Sequence, residues 1–531
     1  MMEENMHLKS ETNERKKSIY DAIVIGSGIT GGWAAKELTE AGLNVLVLEA
    51  GPKIEPHEIS DLSKWTPEQR RETAKRQPIQ SRHISYWFQN PSLFVDDQDH
   101  PYTHGPSNPF VWIRGRQVGG RSLTWGAVTL RLSDYEFLAP ERDGIGEQWP
   151  LSYRELCPFY DTVERFLGIE GTCEGLSQLP DGVFLPAPRL TESEIRFKQT
   201  VENTWKDRKV INSRGVSESP GALPNGDSRW PRKSSLHGTL HAAFATGRAT
   251  LRPDSIVAHL IVDNNTAGIK GVACVDRVTK ATFEVFGNLI VLCASTIESL
   301  RIMLNSKSPQ HPGGVGNSSG FLGSFMLDHL SINFAGEIPG VSNGTTYPVG
   351  GSHGVYIPRF RNLEKPEKDF VRGYGIFGLL QRPSNQFILS SLLEVLPDRR
   401  NRVEIDEDKV DSWGIKTVRI NFAYSANEYK MQEDAEANMR EMVETSGIPI
   451  MHRQVTAPGA YVHELGGARM GTKPATSVLN RFNQCWDAKN LFVLDGSCFV
   501  TAGWQNPSLT MMALAVRACG YMVDQLKRCD L

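Results

Sequence analysis

A strand, a glycine turn, a helix and a second strand ending in an acid follow one another in YDAIVIGSGITGGWAAKELTEAGLNVLVLEAGP, residues 20–52. No other stretch restricts the fold so tightly. Residues 22–25 are apolar and rich in β-branched side chains, as in a buried parallel strand. Gly26, Gly28 and Gly31 then fit G-x-G-x-x-G. The first allows a tight turn, the second lets a pyrophosphate approach bare backbone, and the third lets the helix pack closely on the strand. The pattern predicts a helix over about residues 31–41, stopped by Gly42, and a second strand at 45–48. Glu49 ends that strand about twenty residues after the turn, where an acid can hydrogen-bond a ribose hydroxyl. These features in register predict dinucleotide binding. The acid disfavours a 2′-phosphate, hence NADP, but does not separate FAD from NAD. An ordinary βαβ unit with a glycine-rich turn is the plainer reading.

The chain has 531 residues, more than one hydrophobic core usually serves, so two domains are expected. A net charge of −3 argues against a nucleic-acid or anionic-membrane partner. The eight cysteines are scattered, with no C-x-x-C and no metal-type spacing to histidine. Free thiols in a reducing compartment, and no metal, are the expectation. Residues 1–17 are charged and polar, which predicts a disordered arm and shows no signal-peptide core. Apolar runs such as 289–294 are too short to span a bilayer, so the expectation is a cytoplasmic protein with no membrane segment.

After a polar, aromatic-rich excursion to residue 101 comes WIRGRQVGGRSLTWGAVTLRLSDYEF, residues 112–137. Its glycines are too dense for a regular element and let backbone approach a flat ligand; Arg114 and Arg116 suit anionic contacts. Ser152 and Glu155 form a capping box for a helix ending near Gly168. A helix at 236–246 and strands at 249–252, 256–262, 271–276, 282–286 and 289–294 return to the nucleotide domain. A helix at 295–306 follows. Residues 325–450 alternate like an antiparallel sheet, with strands at 331–338, 377–380, 387–396 and 417–422 and a helix at 427–446. The last segment holds YVHELGGARMGT at 461–472, a strand at 491–494 ending in Asp495-Gly496, and GWQNPSLTMMALAV from 503. Asn506 suits an N-cap and Pro507 the first helical position. Asp495 repeats the acid at the carboxyl end of a strand, where ligands sit in open α/β sheets.

The G-x-G-x-x-G unit, the G-R-x-x-G-G loop at 115–120 and a C-terminal histidine followed by N-P-x-x-T together resemble the glucose–methanol–choline (GMC) family of flavin oxidoreductases. Residues 295–306 resemble the family's second signature, with Leu300 and Lys307 departing from it; 330–450 is largely unmatched. HELGGARMG with GWQNPSLT looks closer to the sugar-oxidising branch, which includes the pyranose oxidases and bacterial glycoside 3-dehydrogenases and 3-oxidases, than to choline or aryl-alcohol oxidases. The resemblance implies an α/β fold: a Rossmann-like FAD-binding domain (18–150, 235–325 and 460–531) with an inserted α+β substrate domain on an antiparallel sheet (151–234 and 326–459). It implies FAD held by Gly26, Gly28, Gly31, Glu49, Arg114, Gly119, Gly120, Ser122, Thr124, Val257, Asp495, Gly496, Pro507 and Thr510. Thr124 stands where pyranose oxidases carry the histidine that bonds FAD covalently, so non-covalent FAD is expected. His463 aligns with the base and Asn506 with its partner; Trp504 and Gln505 are candidates for the substrate pocket. The implied reaction is oxidation of a sugar or glycoside hydroxyl, C3 ahead of C2, to a ketone, with hydride passing to flavin N5. The natural electron acceptor, whether oxygen, a quinone or a redox protein, stays open. So do a primary alcohol substrate (aminoglycoside C6′ or choline-like) and a non-redox flavin-containing lyase. The dipeptide Asp328-His329 reads as a structural pair, and Glu464 as pointing away from the site on a strand.

Overall fold

The computed structural model describes residues 19–55, 65–105, 109–216, 234–263, 268–342, 348–364, 366 and 368–531. The arm expected at 1–17 lies outside them.

The principal sheet runs in the order Ala249–Arg252, Val45–Leu48, Ile19–Ile25, Thr282–Leu292, Ile269–Asp276, Ser255–Val262, with Leu491–Val493 also paired to Thr282–Leu292. The first three pair in parallel, Ala22 opposite Val45 and Val45 opposite Ala249. Two strands predicted at 282–286 and 289–294 are one strand. Its first half pairs antiparallel with Ile269–Asp276, and its second half pairs parallel with Ile19–Ile25, Ala22 opposite Leu289. Gly287, which splits the apolar run, is a packing residue: a Cβ there would lie 2.8 Å from Ile23 Cγ1.

The glycine turn leads into helix Ile29–Glu40, which starts two residues before the predicted position and buries Trp33, Ala34, Ala35 and Leu38. Gly42, at φ +97°, closes it as expected. Helix Ser508–Lys527 packs against this helix and buries Leu509, Met512, Ala513 and Val516. The capping box at Ser152 and Glu155 starts helix Tyr153–Leu167 as predicted.

A second sheet is antiparallel, in the order His452–Val455, Ile332–Glu337, Gln386–Glu394, Tyr374–Leu380, Val355–Ile357, Ile211–Asn212. Helix Ala426–Thr445 lays Met431, Ala435, Met439 and Met442 into a core with Phe334, Phe387 and Leu389. The strand predicted at 417–422 does not belong to this sheet. Lys416–Asn421 pairs with Arg402–Val410 and Thr103–His104 in a separate three-stranded sheet. The reason is burial: Val403, Val418 and Ile420 pack into the core of the principal sheet.

All eight cysteines are free, five of them buried. Among the described residues no helix is long and apolar enough to cross a membrane.

Candidate active site

One cavity of about 510 Å³ lies at the carboxyl ends of Ile19–Ile25 and Val45–Leu48 and extends to the antiparallel sheet. Gly26, Ser27, Gly28 and Glu49 line one end, and Tyr461, His463, Asn506, Phe377 and Leu392 belong to the other.

The nucleotide end is built from backbone. Gly26 sits at φ +98°, and a Cβ there would lie 2.4 Å from the carbonyl oxygen of Cys293, so only glycine makes this turn. A Cβ on Gly31 would lie 1.9 Å from Gly26 O, the close helix–strand approach expected of the third glycine. A Cβ on Gly28 meets nothing within 4 Å and would project into open space beside the cavity. Glu49 is buried. Its carboxylate accepts from the Ser27 N–H (3.1 Å), the Ser27 hydroxyl (2.5 Å) and the Gly51 N–H (2.9 Å). Burial pushes this carboxyl above its ordinary pKa despite those bonds.

The second glycine loop is clasped onto the first. Gly119 N–H donates to Ser27 Oγ (3.0 Å), and a Cβ on Gly120 would stand 3.2 Å from Gly28 Cα. Ser122 Oγ donates to Gly119 O (2.6 Å) and accepts from Ser235 N–H (2.8 Å); Ser235 Oγ donates to Ser27 O (2.7 Å). Arg114 is buried over the Trp112 ring, 3.9 Å from its centroid, near Glu298; its Nε has no hydrogen-bond partner among the described residues. Val257, Thr124, Gly496 and Pro507 line the cavity, and so does Asp495, whose carboxylate accepts from Ser497 and from Ser299 Oγ.

Three expected cofactor residues stand back from the wall. Gly31 and Gly119 act through packing and the bond to Ser27. Thr510 is buried, its hydroxyl 2.8 Å from that of Tyr160.

At the far end His463 Nδ1 lies 3.0 Å from His329 Nδ1, and His329 Nε2 lies 2.8 Å from Gly503 O. Burial lowers both imidazoles, His329 to about 4 and His463 well below its ordinary value; the competing imidazole of His329 and the charge of Arg121 add to the effect on His463. Asn506 does not cap the last helix. The helix begins at Ser508, Pro507 takes the capping position at φ −79°, and no side chain caps it. Asn506 is therefore released from the structural role its sequence context predicts. Its Oδ1 accepts from the Tyr356 hydroxyl at 3.5 Å, and its side chain belongs to the cavity wall.

Two expectations for this end are corrected. Trp504 is fully buried against the second sheet, where a Cβ on Gly375 would lie 2.2 Å from its ring; it does not face the cavity. Gln505 accepts from the Trp504 N–H and donates to Glu136 (3.0 Å), so it braces the loop. Gly503, at φ +68°, redirects the chain before both, a turn that the residue pattern did not disclose. Glu464 also departs from expectation: it lines the cavity and pairs with Arg121 at 2.8 Å. Sequence reasoning missed Arg121, Tyr461, Phe377 and Leu392 as cavity residues. It named Asp328-His329, yet nothing in the chain order places His329 on His463.

The description GMC oxidoreductase matches residues 20–330 and, for its C-terminal part, 397–515. The chain is 27% identical to a 2-methyl-1,2-propanediol dehydrogenase of Mycolicibacterium austroafricanum, over 94% of this chain and 95% of the relative. It is 26% identical to a fructose dehydrogenase large subunit of Gluconobacter japonicus, over 96% and 98%. A pyridoxine 4-oxidase from Mesorbium loti shares the fold, with a TM-score of 0.61 at 17% identity over 94% of this chain and 99% of that one. The Rossmann-like sheet, the cavity of paired glycine loops and these matches agree: the chain belongs to the GMC oxidoreductase family, whose FAD-dependent members oxidise alcohol or sugar hydroxyls.

Proposed function

We propose that the protein oxidises a ring hydroxyl of a sugar or glycoside, at C3 or C2, to a ketone, with FAD as cofactor. The observation that carries this reading is the presence of His463 and Asn506 in the same cavity as the Gly26–Gly28 turn. FAD, held against the Gly26–Gly28 turn and the Gly120–Ser122 loop, would supply the hydride acceptor for the carbinol carbon. His463, kept neutral by burial, takes the hydroxyl proton. Asn506 Oδ1 is turned to Tyr356, which leaves its N–H groups to donate to the substrate oxygen as negative charge develops there. Pro507, Ser508 and Met511 bring the start of the last helix to the cavity, where its positive end favours negative charge. The fructose dehydrogenase relative supports a sugar substrate.

A second reading rests on the cavity wall. Val128, Phe377, Leu392 and Trp125 make much of the substrate end apolar. The four acids on the wall are already engaged: Glu49 by Ser27, Glu298 by Arg301, Glu464 by Arg121 and Asp495 by Ser497. Only Glu464 keeps a carboxylate oxygen, Oε1, without a hydrogen-bond partner among the described residues, and one such oxygen does not hold a row of sugar hydroxyls. This favours a small alcohol with an apolar substituent, in line with the propanediol dehydrogenase relative.

Anaerobic bleaching of the yellow holoprotein separates the two readings. Mono- and disaccharides, glycosides, polyols and branched 1,2-diols are each tried, and the product is mapped by NMR. A ring ketone supports the first reading and fixes C2 or C3; bleaching by diols alone supports the second. Failure of every alcohol to bleach the flavin overturns both. Rapid reoxidation in air identifies oxygen as an acceptor, and a stable reduced state points to a quinone or a redox protein.

Thr124 occupies the position that a covalent link would need, and its hydroxyl donates weakly to Arg121 O at 3.4 Å. Acid precipitation is therefore expected to release all the FAD into the supernatant. Yellow colour retained in the pellet contradicts this.

A further inference from the structure

The role of His463 leaves one matter undetermined: which ring nitrogen faces the substrate. A base needs a bare nitrogen there, and a neutral imidazole has only one.

The hydrogen-bond chain behind His463 decides it. Gly503 O can only accept, so His329 Nε2, 2.8 Å away, carries a proton. His329 is fully buried and neutral, held down to about 4 by desolvation, so its Nδ1 is bare. That atom lies 3.0 Å from His463 Nδ1, and with one acceptor fixed the other nitrogen must donate. His463 therefore carries its proton on Nδ1. Its Nε2 is bare.

We propose that His329 is a positioning residue: anchored by the Gly503 carbonyl, it locks His463 in the Nδ1–H tautomer and presents Nε2 as the base. This rests on the base role proposed above for His463. Asp328, the preceding residue, completes the support. Its buried carboxyl accepts the backbone N–H of Gly459 at 2.7 Å. The dipeptide thus holds the main chain of the 459–463 turn with one side chain and the imidazole with the other. The two rings meet edge to face, centroids 5.0 Å apart at 79°, and Tyr461 closes the other side of His463 at 5.0 Å, so the ring has little room to flip. When Nε2 takes the substrate proton, the Nδ1–H···Nδ1 bond becomes charge-assisted and strengthens as the reaction proceeds.

The test has two arms on the full-length holoprotein. In the first, 15N-histidine NMR of the resting oxidised protein reads the tautomer, with the His463 signals assigned by their loss in His463→Gln. The expected pattern is a protonated Nδ1 and bare Nε2 on His463, and the reverse on His329. In the second, anaerobic stopped-flow measures flavin reduction. His329→Phe keeps an aromatic ring, slightly larger than imidazole, but cannot accept; it should lower the limiting rate on the order of 10- to 100-fold with substrate Kd little changed. His329→Asn, whose Oδ1 accepts from Nδ1–H, should recover most of the loss. A proton on His463 Nε2, an undiminished rate in His329→Phe, or equal losses in both variants overturns the proposal. If His329→Phe does not fold, the resting tautomer and the Asn variant still decide. If no alcohol bleaches the flavin, the functional reading has failed, while the NMR arm still judges the lock.

Discussion

His463→Ala leaves FAD bound and slows anaerobic flavin reduction on the order of 10²- to 10⁴-fold, the usual contribution of a positioned general base. The side chain lines the far end of the cavity and makes no bond to either glycine loop, so its removal spares the nucleotide end. Binding is read from the visible spectrum and the reductive rate by stopped-flow. A variant reduced at the wild-type rate removes His463 from the mechanism. The wild-type pH profile carries a related expectation. Burial first, then the competing imidazole of His329 and the charge of Arg121, depress His463 well below 6.5. A depressed imidazole keeps its basic form as pH falls, so the rate stays flat through 6.5 and declines only in stronger acid. Its neighbours are His329, Tyr461, Arg121 with Glu464, and Asp328, the last raised to about 7. An inflection near 7 that persists in His463→Ala does not come from His463 and matches the raised carboxyl of Asp328.

Gly31→Ala has the second large effect. The added methyl, fixed by the backbone at Gly31, would lie 1.9 Å from the backbone oxygen of Gly26, so no flexible side chain can yield. Helix Ile29–Glu40 must lift from the strand, at a cost of about 3 kcal/mol or more. The apoprotein should melt lower and take up little FAD. Gly28→Ala is the matched control: its methyl touches no protein atom within 4 Å and stands beside the cavity. It should leave the apoprotein's melting unchanged and weaken FAD alone. Thermal melts of the apoproteins with FAD titration separate the two, and wild-type behaviour of Gly31→Ala refutes the packing account.

What was legible in the chain was local. The turn, helix and acid of residues 26–49 are written within one short run, as is the capping box at Ser152 and Glu155. What was not legible depended on distant partners. Gly287 looked like a break between two strands because the chain order does not show Ile23 lying against it. Arg402–Val410 is too charged to announce itself, yet Val403, with Ile405 packed beside it, seats it on the core. Trp504 and Gln505 were misdirected because the positive φ of Gly503 sets where they point. Asn506 was read as a cap because proline follows it, but the helix waits one residue longer. His329 needed two segments, 329 and 463, to be seen side by side.

The strand Thr282–Leu292 carries a consequence for biogenesis. Ile19–Ile25 has Val45–Leu48 on one side from the start of synthesis, but its other neighbour is residues 286–292 of a 531-residue chain. Leu491–Val493 joins that neighbour later still. The emerging nucleotide-binding unit therefore waits with an unpaired, apolar strand edge until more than half the polypeptide has been made. Pairings this distant in sequence form slowly, and such an exposed edge invites association with other chains meanwhile. An N-terminal fragment ending before residue 282 would keep the glycine turn and lose its inner partner, and should be recovered as aggregate rather than as a small FAD-binding domain.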